Sequence, residues 1–499
     1  MFTPNPILSC DFYKVGHVFQ YPKGTEYIYS NFTARSGKHF EQANGFKTDG
    51  VVFWKLQAFL QELNDNFDAN FFGRPKNEVV SEYKRRTDGA LGTGSVTNEH
   101  IAKLHDLGYL PLIIKALPEG SIVPFGVPML TIENTHPDFY WLTNYVETMM
   151  SAELWKGITI ATIAREYRKL LETYATKTGS PQEFVDWQGH DFSMRGLSGV
   201  ADSANAAGHL LSFTGTDTIP AIEYLEKHYY PHVFIGGSVP ATEHSVMCAG
   251  GKDDERETIR HIIQDVYPSG VVSVVSDTWN FWDTITIHAA ALKDVILNRQ
   301  PDAIGLAKTV FRPDSGNPVD IICGNPNALQ SSPEQKGALE CLLEIFGGTL
   351  SSTGHKILNQ RVGLIYGDSI TLKLAKEILE RMHQKGFASC NVVFGIGSYT
   401  YQFVTRDTFG FAMKATWAQV NGEERLLFKD PVTDSGVKKS AKGRLVVNKD
   451  VNNNYILTDN LNWAQEQLLP NEMHLVYLDG RLYNQTALHN IRERIKESL

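Results

Sequence analysis

The sequence predicts an α/β protein, an irregular (β/α) barrel accompanied by a second, discontinuous α+β domain. Three observations carry this reading. At 499 residues the chain is longer than one hydrophobic core usually supports, so two domains are expected. From about residue 185, short apolar or β-branched runs recur, each ending in Gly, Asp or Ser and most followed by helix-like text. Outside that stretch, strand-like and helix-like pieces follow one another in no regular alternation.

Residues 1–50 are rich in aromatics, Gly and Lys, with a short alternating stretch at Tyr27–Phe32. Val51–Phe67 reads as helix, with Trp54, Leu56, Phe59, Leu60 and Leu63 at apolar positions. Asn98–Leu107 reads as a second helix leading into the apolar run Leu110–Ala116, which the turn Pro118-Glu119-Gly120 closes. Phe139–Leu170 is a long, mostly helical region. Together these pieces make an N-terminal α+β segment, 1–180.

The barrel is expected over 181–399. Its strand-like runs are Phe184–Trp187, Leu210–Phe213, Val233–Ile235, Val271–Val275, Thr309–Phe311, Val362–Tyr366 and Val392–Phe394. After the sixth, Leu372, Ala375, Ile378, Leu379 and Met382 fall at helical spacing. Seven such units, with an eighth hard to place, suit a barrel better than the alternative, an open doubly wound sheet. The remaining segment, 400–499, carries strand-like pieces at Tyr455–Leu457 and Leu475–Leu478 and a charged terminal helix. It is expected to pack back on the N-terminal segment and complete the second domain.

Composition narrows the function classes. The formal net charge is -9, and no long Lys/Arg block stands out, so nucleic acid is not an expected partner. Five scattered cysteines (Cys10, Cys248, Cys323, Cys341, Cys390) form no CxxC pair, which argues against a disulfide framework and a thiolate metal site. No HExxH pattern occurs, and neither zinc nor haem is expected. The opening MFTPNPILSCDFYK lacks the basic-then-apolar pattern of a secretory signal, and no window approaches ~18 continuous apolar residues. A cytoplasmic protein without membrane association is the expectation.

The chemistry is expected where strands end, because ligands of parallel α/β sheets bind beyond the carboxyl ends of the strands. Val271–Val275 runs into Ser276-Asp277, and Thr309–Phe311 into Arg312-Pro313-Asp314-Ser315-Gly316. Leu364–Tyr366 runs into Gly367-Asp368-Ser369, and Val392–Phe394 into Gly395-Ile396-Gly397-Ser398. A glycine turn offers unobstructed N–H groups to phosphate. Asp277, Asp314 and Asp368 repel phosphate but accept from ribose hydroxyls or hold Mg²⁺, and Arg312 supplies positive charge. The combination suits a sugar phosphate or a pyrophosphate ester. A second cluster spans Gly189–Gly196, Gly215–Thr218 and Ser238–Ser245. There His244, beside Glu243, is a candidate base, ligand or phosphate acceptor, since imidazole exchanges charge near neutrality. A packed histidine bonded to backbone is the competing reading. His190 and Asp191 are expected to hold loops together.

HDFSMRG (190–196), FTGTDT (213–218), SVPATEHS (238–245), SVVSD (273–277), RPDSGNP (312–318), GDS (367–369) and FKDP (428–431) occur in this order. The set closely resembles the nicotinamide phosphoribosyltransferase family of type II phosphoribosyltransferases. DFYKVGH (11–17) and YWLTNYVET (140–148) extend the resemblance over almost the whole chain. The resemblance implies a head-to-tail homodimer with two shared active sites. It further implies transfer of a phosphoribosyl group from 5-phosphoribosyl 1-pyrophosphate to nicotinamide, with Mg²⁺ required and ATP hydrolysis coupled through a phosphohistidine.

By motif, Phe192 and the partner subunit's Tyr13 would sandwich the pyridine ring, and Asp217 would accept from the carboxamide. Arg195 and Arg312 would hold the amide and phosphate surroundings, and His244 would be the phosphorylated histidine. Asp277, Asp314 and Asp368 match residues around the ribose and metal-bound pyrophosphate, with Asp277 and Asp314 the candidates to meet Mg²⁺ through pyrophosphate. Gly367, Gly395, Gly397 and Ser398 match the sugar-phosphate turns, and Arg35, Arg406, Lys414 and Lys429 the phosphate cradle. Two positions depart from the pattern: Ser398 stands where a further glycine is expected, and Ala412 where a serine is. The competing functions are a nicotinate phosphoribosyltransferase, a barrel hydrolase or aldolase acting on sugars, and a binding or signalling protein on the same scaffold.

Overall fold

Strand β1 (Thr25–Thr33) contains the alternating Tyr27–Phe32 stretch and lies inside an antiparallel sheet. The computed structural model describes residues 5–230, 232–428 and 441–499. Helix α1 (Leu56–Phe67) is shorter than the helix expected from Val51. The fully buried β-branched pair Val51–Val52 forms a short strand against Ile122–Val123, and the helix starts only after Lys55, in the left-handed region at φ 78°. Strands β2 (Leu112–Ala116) and β3 (Pro128–Asn134) follow.

Helix α2 (Glu147–Thr178) has 32 residues and spans ~48 Å. It ends at Gly179, whose φ of 65° suits a left-handed cap. The structure divides the expected region Phe139–Leu170 into a 3₁₀ turn (Pro137–Phe139), a short helix (Leu142–Tyr145) and α2. Lys156, Arg165 and Glu166 are buried along α2 beside its apolar residues, so polar contacts also fix this helix in place.

Six parallel strands follow: β4 (Gly189–Asp191), β5 (Gly215–Thr216), β6 (Gly270–Val275), β7 (Ala307–Arg312), β8 (Val362–Tyr366) and β9 (Val392–Ile396). They are ordered β5-β4-β9-β8-β7-β6. The two edges are joined by a short irregular segment, because Gly237 bridges Gly215 and Ala241 bridges Ser273, both in parallel sense. Thr216 N donates to Gly237 O at 3.0 Å, and Ser273 N to Pro240 O at 2.8 Å. The ring therefore closes with residues 237–241 as its third member, giving seven positions and no eighth strand among the described residues.

The last four strand-like runs lie in β6 to β9, but the first three do not form strands. Phe184 and Val185 belong to helical turns, as do Leu210 and Leu211, and Val233–Ile235 is irregular. The strands lie a few residues downstream in polar, glycine-containing text. The apolar runs pack instead: Val185, Leu210 and Phe213 are buried, and a Cβ on Gly189 would lie 2.9 Å from the Phe213 ring.

The chain then returns to the first sheet. Strands β10 (Ala412–Val420), β11 (Glu423–Leu426), β12 (His474–Leu478) and β13 (Arg481–Leu482) complete a seven-stranded antiparallel sheet ordered β11-β10-β1-β3-β2-β12-β13. Beside it, buried Arg444 forms a bidentate pair with Glu133, both contacts 2.7 Å, and a second pair with Glu466. Its guanidinium also lies over the rings of Tyr29 and Trp417, 4.3 and 4.7 Å from their centroids. Leu488–Lys496 is the terminal helix. All five cysteines are free, and no helix among the described residues is long and apolar enough to cross a membrane.

Candidate active site

The carboxyl ends of the barrel strands bring two groups of side chains together. At the end of β4, Phe192 N donates to Ile396 O at 2.9 Å, which extends the β4–β9 pairing. The Phe192 ring lies across two neighbouring strand ends. A Cβ on Gly395 would be 2.4 Å from Phe192 Cδ2 and 2.6 Å from Gly367 Cα, and one on Gly367 would be 2.7 Å from the same ring. Gly367 and Gly395 thus leave the space that Phe192 fills. The His190 ring stands edge-on to Phe192, with centroids 4.9 Å apart.

Just beyond β5, Asp217 Oδ1 lies 2.8 Å from His190 Nε2 and 2.5 Å from the Ser238 hydroxyl. A carboxylate has no proton to give, so both neighbours donate. Asp217 Oδ2 has no hydrogen-bond partner among the described residues. Burial raises the Asp217 pKa, but the hydrogen bond and charge of His190, the Ser238 hydrogen bond and the Arg312 charge outweigh it and hold the carboxyl below its ordinary value. Beneath this pair, fully buried Asp191 organises the turns. It accepts from Ser193 N at 2.9 Å and from the hydroxyls of Thr218 and Thr216 at 2.6 and 3.2 Å.

The second group gathers the carboxylates. Asp277 Oδ2 accepts from Asp314 N at 2.9 Å and from the Ser315 hydroxyl at 2.6 Å. Asp277 Oδ1 is buried without a hydrogen-bond partner and stands 3.8 Å from His244 Nε2. The His244 side chain is half-exposed, with Nδ1 3.1 Å from Thr278 Oγ1. Arg312 donates to Thr242 O at 2.7 Å and lies 3.5 Å from Asp314 Oδ2. Burial raises the Asp314 pKa, with Asp277 and Asp368 acting in the same direction against Arg312 and His244. Burial and the same three carboxylates, Asp368, Asp277 and Asp314, raise the Tyr366 phenol, which donates to Gly316 O at 2.9 Å.

No group of three or more His, Cys, Asp or Glu side chains is arranged to hold a metal among the described residues. The unpartnered Asp277 Oδ1 and the neighbouring Asp314 carboxylate nevertheless suit a hard cation whose other ligands come from phosphate and water.

A third set, all cationic, forms where the two sheets' ends meet in sequence. Arg35, just past β1, donates from N to Phe409 O at 3.0 Å and from Nε to Gly410 O at 2.7 Å. In the β1–β10 ladder Asn31 is opposite Lys414 and Thr33 opposite Ala412. Burial lowers the Lys414 pKa, as do the charges of Arg35, Arg406 and Lys14, against the opposing effect of Glu147. Lys429 lies outside the described residues. Tyr13 is 61% exposed, and its ring neighbours within the chain are His17 and Lys14. Arg195 is exposed in the turn Met194–Gly196, and Ser398 opens a short helix against that turn. A Cβ on Gly196 would lie 2.3 Å from Ser398 Oγ.

Residues 187–479, more than half of the chain, match the model of the nicotinate phosphoribosyltransferase (NAPRTase) family. The chain belongs to this family. Residues 5–69 also match the nicotinamide phosphoribosyltransferase N-terminal domain. Relatives by sequence include the nicotinamide phosphoribosyltransferase of Acinetobacter baylyi, 55% identical over 100% of this chain and 98% of that protein. The nicotinamide phosphoribosyltransferase of Mycoplasma pneumoniae is 34% identical over 88% of this chain and 94% of that protein. Among solved structures, nicotinate-nucleotide pyrophosphorylase from Pyrococcus furiosus shares the fold at 13% identity, with a TM-score of 0.58 over 99% of this chain and 95% of that one. Human nicotinic acid phosphoribosyltransferase does so at 14% identity, with a TM-score of 0.56 over 98% and 93%.

In this member of the nicotinate phosphoribosyltransferase family, some polar contacts at the site were not legible as such in the sequence. His190 was expected to hold a loop, yet its ring reaches Asp217. Ser238 carries no local signal beyond its place in a Gly/Pro-bounded turn, and only the closure of the ring brings it to the same carboxylate. Thr242, whose carbonyl receives Arg312, is fixed in the same way.

Proposed function

We propose that this protein transfers the 5-phosphoribosyl group of 5-phosphoribosyl 1-pyrophosphate to nicotinamide, giving nicotinamide mononucleotide and pyrophosphate in NAD salvage. One observation carries the choice of base. The Asp217 pKa is held below its ordinary value, its Oδ1 is occupied by His190 and Ser238, its Oδ2 has no partner among the described residues, and His190 itself stands 4.9 Å from Phe192. That free oxygen accepts a carboxamide N–H and repels the carboxylate of nicotinate.

The attacking pyridine nitrogen has a lone pair and no proton, so no strong base is required. The bond from C1 to pyrophosphate breaks as the C1–N bond forms, and the site's task is positioning and electrostatic stabilisation. In this reading Phe192 stacks on the ring, Asp217 orients its amide, and Asp368, Asp314 and Asp277 face the ribose and pyrophosphate. Arg195 and Arg312 flank the phosphates. Gly397 and Ser398 receive the 5'-phosphate, and Arg35, Arg406 and Lys414 draw the anionic substrate in. Asp277 and Asp314 would hold Mg²⁺ together with the substrate's own oxygens, and the ion would supply positive charge to the departing pyrophosphate.

ATP acts as a coupled co-substrate in this reading. Nε2 of half-exposed His244 attacks the γ-phosphorus, the bond to ADP breaks, and the ring nitrogen carries the phosphoryl group until water removes it. The assembly is a homodimer with shared sites. Tyr13, Phe12, Phe19, Tyr399 and Phe403 are exposed aromatics of the kind that interfaces bury. The substrates are cytoplasmic metabolites, and we assign the protein to that compartment.

Product analysis with nicotinamide or nicotinate, phosphoribosyl pyrophosphate and Mg²⁺, with and without ATP, tests the proposal. Nicotinamide mononucleotide should be the main product, and equal or better use of nicotinate overturns the base assignment. ATP should stimulate the wild type and leave His244→Ala at its basal rate. Absence of any ATP effect on the wild type overturns the coupling.

A further inference from the structure

A chain of polar contacts runs from Lys55, at the start of α1, to the turn that follows β9. Lys55 Nζ, 1% exposed as a residue, donates to Glu153 O at 2.9 Å and to Asn205 Oδ1 at 2.8 Å. Asn205 Nδ2 donates to Asp202 Oδ1 at 2.9 Å. Asp202 Oδ2 accepts from Ser198 N at 2.9 Å and pairs with Lys156 Nζ. Lys156, on α2 and 6% exposed, donates also to Gln402 Oε1. Gln402 Nε2 donates to Ser198 Oγ at 2.7 Å, and Gln402 N to Ser398 O at 2.7 Å. Burial opposes ionisation of Asp202, but bonds from Lys156, Asn205 and Ser198 prevail and lower its pKa.

The geometry is a clasp. One ammonium, Lys156, grips both the loop after Arg195, through Asp202, and the helix that Ser398 opens, through Gln402. Ser198 ties the two to each other, and the absent side chain of Gly196 lets them touch. Gly157, next to Lys156 on α2, also has no room for a Cβ, which would lie 2.9 Å from Lys55 Cδ and 3.2 Å from Asn205 Oδ1. None of Lys156, Asp202 or Gln402 was a candidate from sequence.

We infer that Lys156 is a positioning residue which, through Asp202 and Gln402, sets the separation of Arg195 from the Gly397-Ser398 turn and so tunes recognition of the substrate's phosphate. This rests on the proposed reading of that turn as the 5'-phosphate site. Removing the ammonium leaves Asp202, whose side chain is 10% exposed, without its counter-charge, so the loop and the helix part company while Phe192 and Asp217, on other contacts, stay in place.

The test compares steady-state constants for Lys156→Met, Lys156→Arg, Gln402→Met and Gly397→Ala, all in the full-length protein. Lys156→Met and Gln402→Met should raise the KM for phosphoribosyl pyrophosphate about tenfold or more, with the nicotinamide KM changed less than about twofold. Lys156→Arg should recover part of the loss. Gln402→Met keeps the question open to measurement if Lys156→Met does not fold. Equal changes in both KM values, or none, overturn the clasp. Gly397→Ala probes the turn itself, since a Cβ there meets nothing in the protein nearer than Phe192 O at 3.9 Å. An unchanged phosphoribosyl pyrophosphate KM in Gly397→Ala overturns the phosphate-turn reading. A raised one with normal Lys156→Met and Gln402→Met overturns the clasp alone.

Discussion

His190 Nε2 and Asp217 Oδ1 are 2.8 Å apart, and that contact fixes which oxygen of the aspartate is left to meet a ligand. Asp217→Asn removes the charge while keeping the shape. Its kcat/KM for nicotinamide should fall about 10- to 100-fold, the loss of a hydrogen bond to a charged acceptor worth ~1.5–3 kcal/mol. The nicotinate-to-nicotinamide ratio should rise. Paired assays with the two bases check this, and an unchanged ratio removes Asp217 from base selection.

The same contact sets a pH limit. The Asp217 pKa lies below the ordinary carboxylate value, so the ionised form persists as pH falls until that lowered pKa is reached. Any stabilisation from this pair is therefore present above the unfolded-state pKa and lost as pH falls through the folded one. His190→Phe removes both the donor and its charge. The acid limb of the nicotinamide kcat/KM profile should move to higher pH in this variant, and an unmoved limb shows that His190 does not control the carboxylate.

Asp314 behaves in the opposite sense. Its raised pKa means that Mg²⁺-dependent activity should decline from a higher pH than an ordinary carboxylate would give. Asp368→Asn removes one charge that raises it, so the midpoint for Mg²⁺ binding should shift to lower pH. Titration of Mg²⁺ across the acid range, followed by calorimetry with pyrophosphate present, measures the shift.

Gly395→Ala places a methyl 2.4 Å from Phe192 Cδ2, with the backbone of Gly367 behind it at 2.6 Å. The ring must move. Overpacking of this kind costs ~1–3 kcal/mol, and the nicotinamide KM should rise with it. Thermal unfolding and steady-state kinetics read the two effects separately.

Arg444 tests the other domain. Its guanidinium is buried between Glu133 and Glu466, and Arg444→Met leaves Glu133 without a counter-charge and Glu466 with Lys115 alone, 3.5 Å away. A loss of ~3–5 kcal/mol is expected in denaturant unfolding. Arg444→Met is predicted to change the nicotinamide KM little, because no residue of the base pocket touches it.

The barrel's later half was legible because β6, β8 and β9 are mostly apolar runs buried on both faces and β7 carries the shorter run Thr309–Phe311, each followed by carboxylates or glycines. Its first half was not. Gly189-His190-Asp191 and Gly215-Thr216 carry no apolar side chain, and His190, Asp191 and Thr216 hydrogen-bond around the turns, so the strand signal is lost and the adjacent apolar turns around Val185 and Leu210 imitate it. Asp217, Asp277 and Asp314 could be singled out by motif. Ser238, which reaches Asp217, and Thr242, whose carbonyl receives Arg312, are brought close only by ring closure, which no local pattern encodes.

That closure has a mechanical meaning. Residues 237–241 join the barrel edges at two bridges, and the surrounding stretch bears Ser238 on Asp217, the Thr242 carbonyl on Arg312 and, two residues later, His244 beside Asp277. The residues proposed to select the base, hold phosphate and accept a phosphoryl group are thus tied to one seven-residue strap, 238–244. A displacement of that short stretch of backbone would move Ser238, the Thr242 carbonyl and His244 together.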